Sequence, residues 1–378
     1  SDSRVVPRLL PRPIDRTGLL FCDCDSVEIC PPTVISSVVT PILQKLHSCS
    51  NLVSQNATSS ALLPCCDRLF NSAEECARLW KNLGCDYNVV QVSSGPLHGR
   101  LRVDYQDGML LVSMQADQAL LVAGTRHPRW LPFTIEHTDN YADHRHFGES
   151  LAPNTLAGFN TKMTESLMRT SPGGNRIGVV FLDRRRVDTW VKLIGTSEIS
   201  DRMEHNNTAI LSPAAHRKLR QLMVLPSWQG VDVPHLFQAD LLEAQLIESL
   251  SPESSSRLQP VLKTHHSDLV KDLIRFSFQS STEPISLAMV CQTLFTTKTT
   301  LTVSCREMFG YGPSALMRRI RLQQVREVLC DPDLRQRLRC HTVQQVAEYF
   351  GFASRNHFAS AYRDLFAEAP RTTLLASR

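Results

Sequence analysis

Apolar and polar positions change rhythm twice along this chain. Residues 1 to about 65 mix prolines, cysteines and a Ser/Asn-rich patch, Ser48 to Ser60, with short apolar runs such as Val34 to Leu46, which predicts an irregular extension with room for one helix. Between about Phe70 and Gly195 the apolar runs are strand-length and punctuated by Gly, Pro and Asp: Tyr87 to Val92, Leu101 to Tyr105, Met109 to Met114, Leu120 to Ala123 and Gly178 to Leu182. That spacing predicts a small β-barrel or sandwich. From Ser212-Pro213 the period becomes helical, with one helix expected through Val224 and another from Pro234 to Leu250. The second has a broad apolar face, including Leu241, Leu242, Leu246 and Ile247, which suits either a dimer contact or packing on its own domain. Ser251 to Ser256, with Pro252 and four serines, has linker composition.

After the linker one plan occurs twice. Leu287, Val290, Cys291 and Leu294 fall at i, i+3, i+4 and i+7, so one face of a short helix is apolar. A turn at Phe295-Thr296 leads to a second helix with Leu301, Cys305, Met308 and Phe309 inward and Lys298, Thr299, Thr302, Val303 and Arg306 outward. In the later copy Thr342 and Gln345 make a capping-box pair, and Val343, Val346, Ala347 and Phe350 repeat the inward spacing. Gly351 ends that helix, and Ser354 is placed to cap the next. There Phe358, Ala361, Tyr362 and Leu365 face the core, while Arg355, Asn356, Ala359, Ser360 and Arg363 face out. Ser314 to Leu329 reads as one helix joining the two units. B-DNA presents its major groove about every 34 Å, so two heads on a rigid connector can enter successive grooves without a dimer.

Composition adds less than pattern. With 378 residues, 42% hydrophobic and 21% charged, the chain has ordinary globular character and length for two or three domains. A net charge of +4 would not by itself mark a nucleic-acid binder. From Ser267 onward, however, fifteen Lys and Arg stand against ten Asp and Glu, which concentrates the positive charge in the repeated region. The twelve cysteines are scattered, with no Cys-x-x-Cys pair, and read as mostly buried thiols. No apolar stretch suits a signal peptide or membrane span, so a cytoplasmic location without membrane contact is expected.

The stretch from about Ser267 to Leu375 resembles the DNA-binding domain of AraC/XylS-type transcription regulators. The carriers are Gly351-Phe352-Ala353-Ser354-Arg355-Asn356-His357-Phe358 followed by Tyr362-Arg363 and Phe366. The resemblance implies base reading by Thr299, Thr302 and Val303 in the first head and by Arg355, Asn356, Ala359 and Ser360 in the second, with Lys298, Arg306 and Arg363 on phosphates. Arg can grip guanine and Asn adenine bidentately, whereas phosphate contacts position without discriminating. The first head departs from the family pattern, with Phe295 at the usual turn glycine, Cys305 at a usual aromatic core position and Val303 where a polar residue is common. More loosely, Phe70 to Leu193 resembles the N-terminal domain of a group in that family typified by EutR, the ethanolamine-utilisation activator. The carriers are Gln91, Ser94-Gly95-Pro96, Gly99-Arg100-Leu101, Gly124-Thr125, Trp130, Phe133 and Gly178-Val179-Val180. This implies an effector-binding or dimerising β domain.

The expected architecture is therefore α+β. An irregular extension (1–65) precedes a cupin-like β-barrel or sandwich sensor domain that turns helical (66–250), then a linker (251–266) and an all-α domain with two helix-turn-helix motifs (267–378). The expected partners are double-stranded DNA, RNA polymerase, an unidentified small-molecule effector and a second copy of the chain; the expected role is activation. No catalytic group, cofactor or resident metal is expected. Two other classes stay open. His144, His146 and Glu149 partly match the metal motif of cupin barrels, which would make the front half a metal sensor or enzyme fused to a DNA-binding tail. Cys65-Cys66 or Cys22 and Cys24 could serve a thiol redox sensor. Trp130 and Phe133 suit either a ligand pocket or plain core.

Overall fold

A computed structural model describes residues 66–377 apart from 107, 139–142, 195–196, 225–234, 252–253, 255, 261–264 and 280–284. The 1–65 extension with its expected helix, and Cys22, Cys24 and Cys65, lie outside the described residues.

Two antiparallel sheets face each other. The larger runs, in spatial order, β1 (Cys66–Phe70), β3 (Gly99–Gln106), β4 (Met109–Ala116), β11 (Asn175–Asp183), β6 (Trp130–Glu136), β9 (Thr155–Ala157), β12 (Asn206–Ile210) and β13 (Arg257–Pro260). The smaller runs β2 (Asp86–Gln91), β5 (Leu120–Thr125), β10 (Glu165–Arg169), β7 (Arg145–His146) and β8 (Glu149–Ser150). Helix α1 (Ala73–Asn82), capped by Ser72, follows β1. The strand β13 falls within the expected linker, 251–266, and pairs with β12, so part of that segment is the edge of the larger sheet.

Successive side chains of a strand point to opposite faces, so a strand covered on both faces needs apolar residues without alternation. That accounts for the continuous runs. On β4, Leu110, Val112 and Met114 face the space between the sheets, while Met109 and Leu111 face a helical layer. This layer comprises α2 (Arg184–Ile194), α3 (Ser197–His205), α4 (Pro213–Leu222) and α5 (His235–Leu250). The apolar face of α5, with Leu242, Leu246 and Ile247, packs there, which settles its role as packing on its own domain. Its Glu243, fully buried, is held by Arg186 and the Trp190 indole. On the smaller sheet Val89, Leu120 and Val122 face inward, and Val90, Leu121 and Ala123 face outward. The outward set shares one core with the first half of the helical region, including Leu273, Leu301 and Ile320.

That region comprises α6 (His265–Gln279), α7 (Leu287–Thr293), α8 (Lys298–Phe309), α9 (Pro313–Cys330), α10 (Pro332–Arg337), α11 (Val343–Tyr349), α12 (Arg355–Phe366) and α13 (Pro370–Ala376). A β-rich domain is thus followed by an all-helical one, and their cores are continuous. No helix among the described residues is long and apolar enough to cross a membrane.

Candidate nucleic-acid interface and its support

Each head is two helices joined by a tight turn, and the two turns are built alike. At the end of α7, Phe295 N–H donates to Gln292 C=O and Thr296 N–H to Cys291 C=O. At the end of α11, Gly351 donates to Glu348 and Phe352 to Ala347 in the same pattern. Both turn residues are left-handed, with φ of 48° at Phe295 and 79° at Gly351. The Phe side chain points straight into solvent, 97% exposed, so the backbone forces the conformation without help from packing. The Thr342/Gln345 capping box forms, and Ser354 Oγ accepts from His357 N–H to start α12.

Behind the heads lies an apolar frame. Leu301, Cys305, Met308 and Phe309 of α8 are buried, as are Phe358, Ala361, Tyr362, Leu365 and Phe366 of α12. Phe352, Phe358, Tyr362 and Phe366 form a chain of ring contacts, and Tyr362 Oη lies 2.9 Å from Thr373 Oγ1. The connector α9 buries Leu316, Ile320, Val325, Val328 and Leu329, tying both heads to one rod about 27 Å long at 1.5 Å per residue. Of its arginines, Arg318 is exposed, Arg319 lies over the Tyr311 ring, and Arg326 is held between the Phe366 ring, Glu368 and the Asn71 carbonyl.

The opposite face is open. Thr299, Val303, Arg355, Asn356 and Ser360 are exposed, Thr302 and Ala359 partly so, and Lys298, Arg306 and Arg363 are exposed beside them. The Thr302 hydroxyl donates to the Lys298 carbonyl at 2.7 Å, which commits that donor to its own helix. An exposed Arg-Asn pair in the first turn of α12 sits where a helix entering a major groove touches base edges.

The β domain meets this frame from the side away from that face. The last carbonyls of an α-helix lack intrahelical partners. At α8, Arg169 Nη1 donates to Phe309 C=O at 3.1 Å; at α12, Gly95 N–H donates to Leu365 C=O at 2.9 Å. Helices α8 and α12 are thus held at the same end by one domain. Between them, Gln323 of α9 is 1% exposed and completes the free edge of β2: its Oε1 accepts from Gln91 N–H at 2.6 Å, and its Nε2 donates to Val89 C=O at 3.0 Å. The same Nε2 donates to Glu74 Oε1 at 3.1 Å. Glu165 of β10 binds Lys271 and Arg275 of α6. None of these contacts was visible in the sequence, where Gln323 looks like an ordinary polar helix position.

The front-half candidates separate. His144 Nδ1 pairs with Glu136 at 2.7 Å, both buried, and its Nε2 has no partner. His146 turns into the space between the sheets, where burial holds its pKa down to about 3, while Glu149 is exposed. The described residues hold no group of three or more His, Cys, Asp or Glu side chains set around a metal position. Burial pushes the Cys76 and Cys305 thiols up to about 12, well away from reactive thiolates. Phe133 stacks with Phe159 and meets the Trp190 ring at a tilt on the helical side of the larger sheet, so it is core.

Residues 290–375 match the family model described as Helix-turn-helix domain. Among solved structures, a probable AraC family transcriptional regulator from Rhodopseudomonas palustris is 26% identical over 29% of this chain and 98% of its own, with a TM-score of 0.26. ToxT from Vibrio cholerae is 11% identical over 77% of this chain and 98% of its own, with a TM-score of 0.28. The AraC-like transcriptional activator CuxR is 11% identical over 68% of this chain and 94% of its own, with a TM-score of 0.35. With two turn-matched helix pairs on one connecting helix and the family match across them, residues 290–375 form a helix-turn-helix domain.

Proposed function

We propose that this protein activates transcription from specific sites read by both heads, and that a small molecule bound in the β domain controls how they engage DNA. Arg355 and Asn356 carry most of the discrimination, about 1–3 kcal/mol for each good bidentate pair. Thr299, Thr302, Val303, Ala359 and Ser360 refine the site, and Lys298, Arg306 and Arg363 hold phosphates. The observation that carries the proposal is that α8 and α12 have open outer faces and are both held at their C-terminal carbonyls by the β domain. A change inside that domain can therefore alter the spacing of the heads without touching their reading faces. The functional units are 66–250 for sensing and self-association, 251–266 as connection and 267–378 for DNA. The bound form is a homodimer that contacts RNA polymerase.

Selection of retained fragments from randomised duplex DNA, at stated salt, tests the reading role. The intact chain should enrich a motif, and an Arg355→Ala/Asn356→Ala variant should lose information in one half of it. Salt-sensitive binding with no motif, from both proteins, would defeat the proposal.

A further inference from the structure

The space between the two sheets is not filled. A cavity of about 60 Å³ remains there, room for roughly four to six atoms of water size at about 10–15 Å³ each. Its walls are mainly apolar, with Met114, Val122, Met168, Val179 and Phe181 drawn from both sheets. Arg126, which follows β5 and is 5% exposed, lines the same cavity.

This guanidinium is incompletely satisfied. Its Nε donates to Ser166 Oγ at 2.9 Å and its Nη1 to Gly158 C=O at 2.8 Å; its Nη2 has no hydrogen-bond partner among the described residues. No carboxylate among the described residues pairs with it. Burial lowers its pKa only to about 10, so it is cationic at neutral pH. The neighbouring Tyr87 and Cys85 are pushed upward by burial and stay neutral there. A buried charge without a counter-ion is costly, and the unpaired Nη2 can donate to a carboxylate oxygen. Tyr87, Thr134, His146 and Ser166 also line the cavity, but the rest of the wall is apolar and matches a hydrocarbon body better than it does a fully hydrated inorganic anion.

We propose that the cavity between the sheets binds a small monocarboxylate, its carboxylate on Arg126 and its apolar part against Met114, Val122, Met168 and Val179. This rests on the β domain being the effector-binding unit, and it adds the site and the ligand class. A bound acid would pack against the inner face of β5 and β10, neighbouring strands whose outer faces meet the first head, with Arg169 of β10 reaching the end of α8.

Calorimetric titration of the full chain without DNA, in chloride-free buffer, provides the test. The probes are propionate and butyrate, each against its amide, with inorganic phosphate as a third arm. At least one carboxylate should bind saturably, its amide at least about tenfold more weakly, and phosphate without saturation. Arg126→Met should abolish the binding and Arg126→Lys weaken it. Because losing Arg126 also removes its bonds to Gly158 and Ser166, Val179→Phe provides a second variant, filling the cavity with Arg126 intact; it should abolish binding while circular dichroism stays unchanged. Equal binding of acid and amide, phosphate binding as tight as carboxylate, unchanged binding in folded Val179→Phe, or no saturable heat from either acid would overturn the proposal. Parallel measurement of DNA affinity separates the two levels. Acid binding that leaves DNA affinity unchanged supports the site and removes the effector role. Failure of both acids while another small molecule shifts DNA affinity keeps the effector role and overturns this site.

Discussion

Gln323→Leu is the most direct perturbation of the joint between the β-rich and helical domains. The substitution keeps the size of a buried side chain on α9 and removes both bonds to the edge of β2. Two main-chain groups, Gln91 N–H and Val89 C=O, then lie against hydrocarbon. At about 1–3 kcal/mol for each buried polar group left unmade, the docked arrangement should lose about 2–4 kcal/mol, allowing for the second lone pair of the carbonyl. That is roughly a 30- to 700-fold shift toward the undocked arrangement. Because undocking lets water satisfy both groups, the loss should appear as domain separation before unfolding of either domain. Hydrogen exchange read by mass spectrometry should therefore speed up in peptides spanning β2 and α9. Peptides from β4 and β11, buried between sheet and helices, should keep wild-type protection. Unchanged exchange in β2, or equal acceleration everywhere, would refute the argument that Gln323 joins two separable units.

Other expectations follow from single residues. Against a selected DNA site, Arg355→Ala should weaken binding about 5- to 150-fold, the equivalent of about 1–3 kcal/mol, and relax preference at one base pair; a gel-shift series over single-base variants reads both. Burial and the nearby Glu327 raise the Glu74 pKa to about 7, so the folded state retains a proton that the unfolded chain has released. Its contribution is present below the unfolded pKa and is lost as pH rises to about 7; Glu74→Gln should raise Tm at pH 8 relative to wild type and give no gain at pH 4.5. Phe295→Gly should raise stability by about 0.5–1 kcal/mol, since a left-handed Phe costs about 1–2 kcal/mol and glycine returns part of that as chain entropy; Phe295→Val should lower it in the same urea titration. Thr342→Ala, which removes a capping box, should cost about 1 kcal/mol, measured by denaturation of the intact chain.

The two heads were legible because their signals are local. Helical period, the Thr342/Gln345 cap, the Gly351 turn and the Ser354 cap all act within a few residues, and each appears where its spacing placed it. The exposed faces of α8 and α12 follow from that same period. The sheet runs were legible as strands, but not their partners: β11 lies between β4 and β6, and β10 between β5 and β7, pairings set by contacts far apart in sequence. For that reason the cavity residues could not be collected in advance. Arg126, Ser166 and Met114 come from different strands, while Phe133, an aromatic that suited a pocket, faces the helical layer one residue out of phase with the cavity wall. Similarly, a glutamine on α9 is consistent with a solvated face until the edge of β2 is placed against it. Local hydrogen bonding and periodicity determined the reading heads; only tertiary packing decided what holds them and where an unpaired guanidinium lies buried.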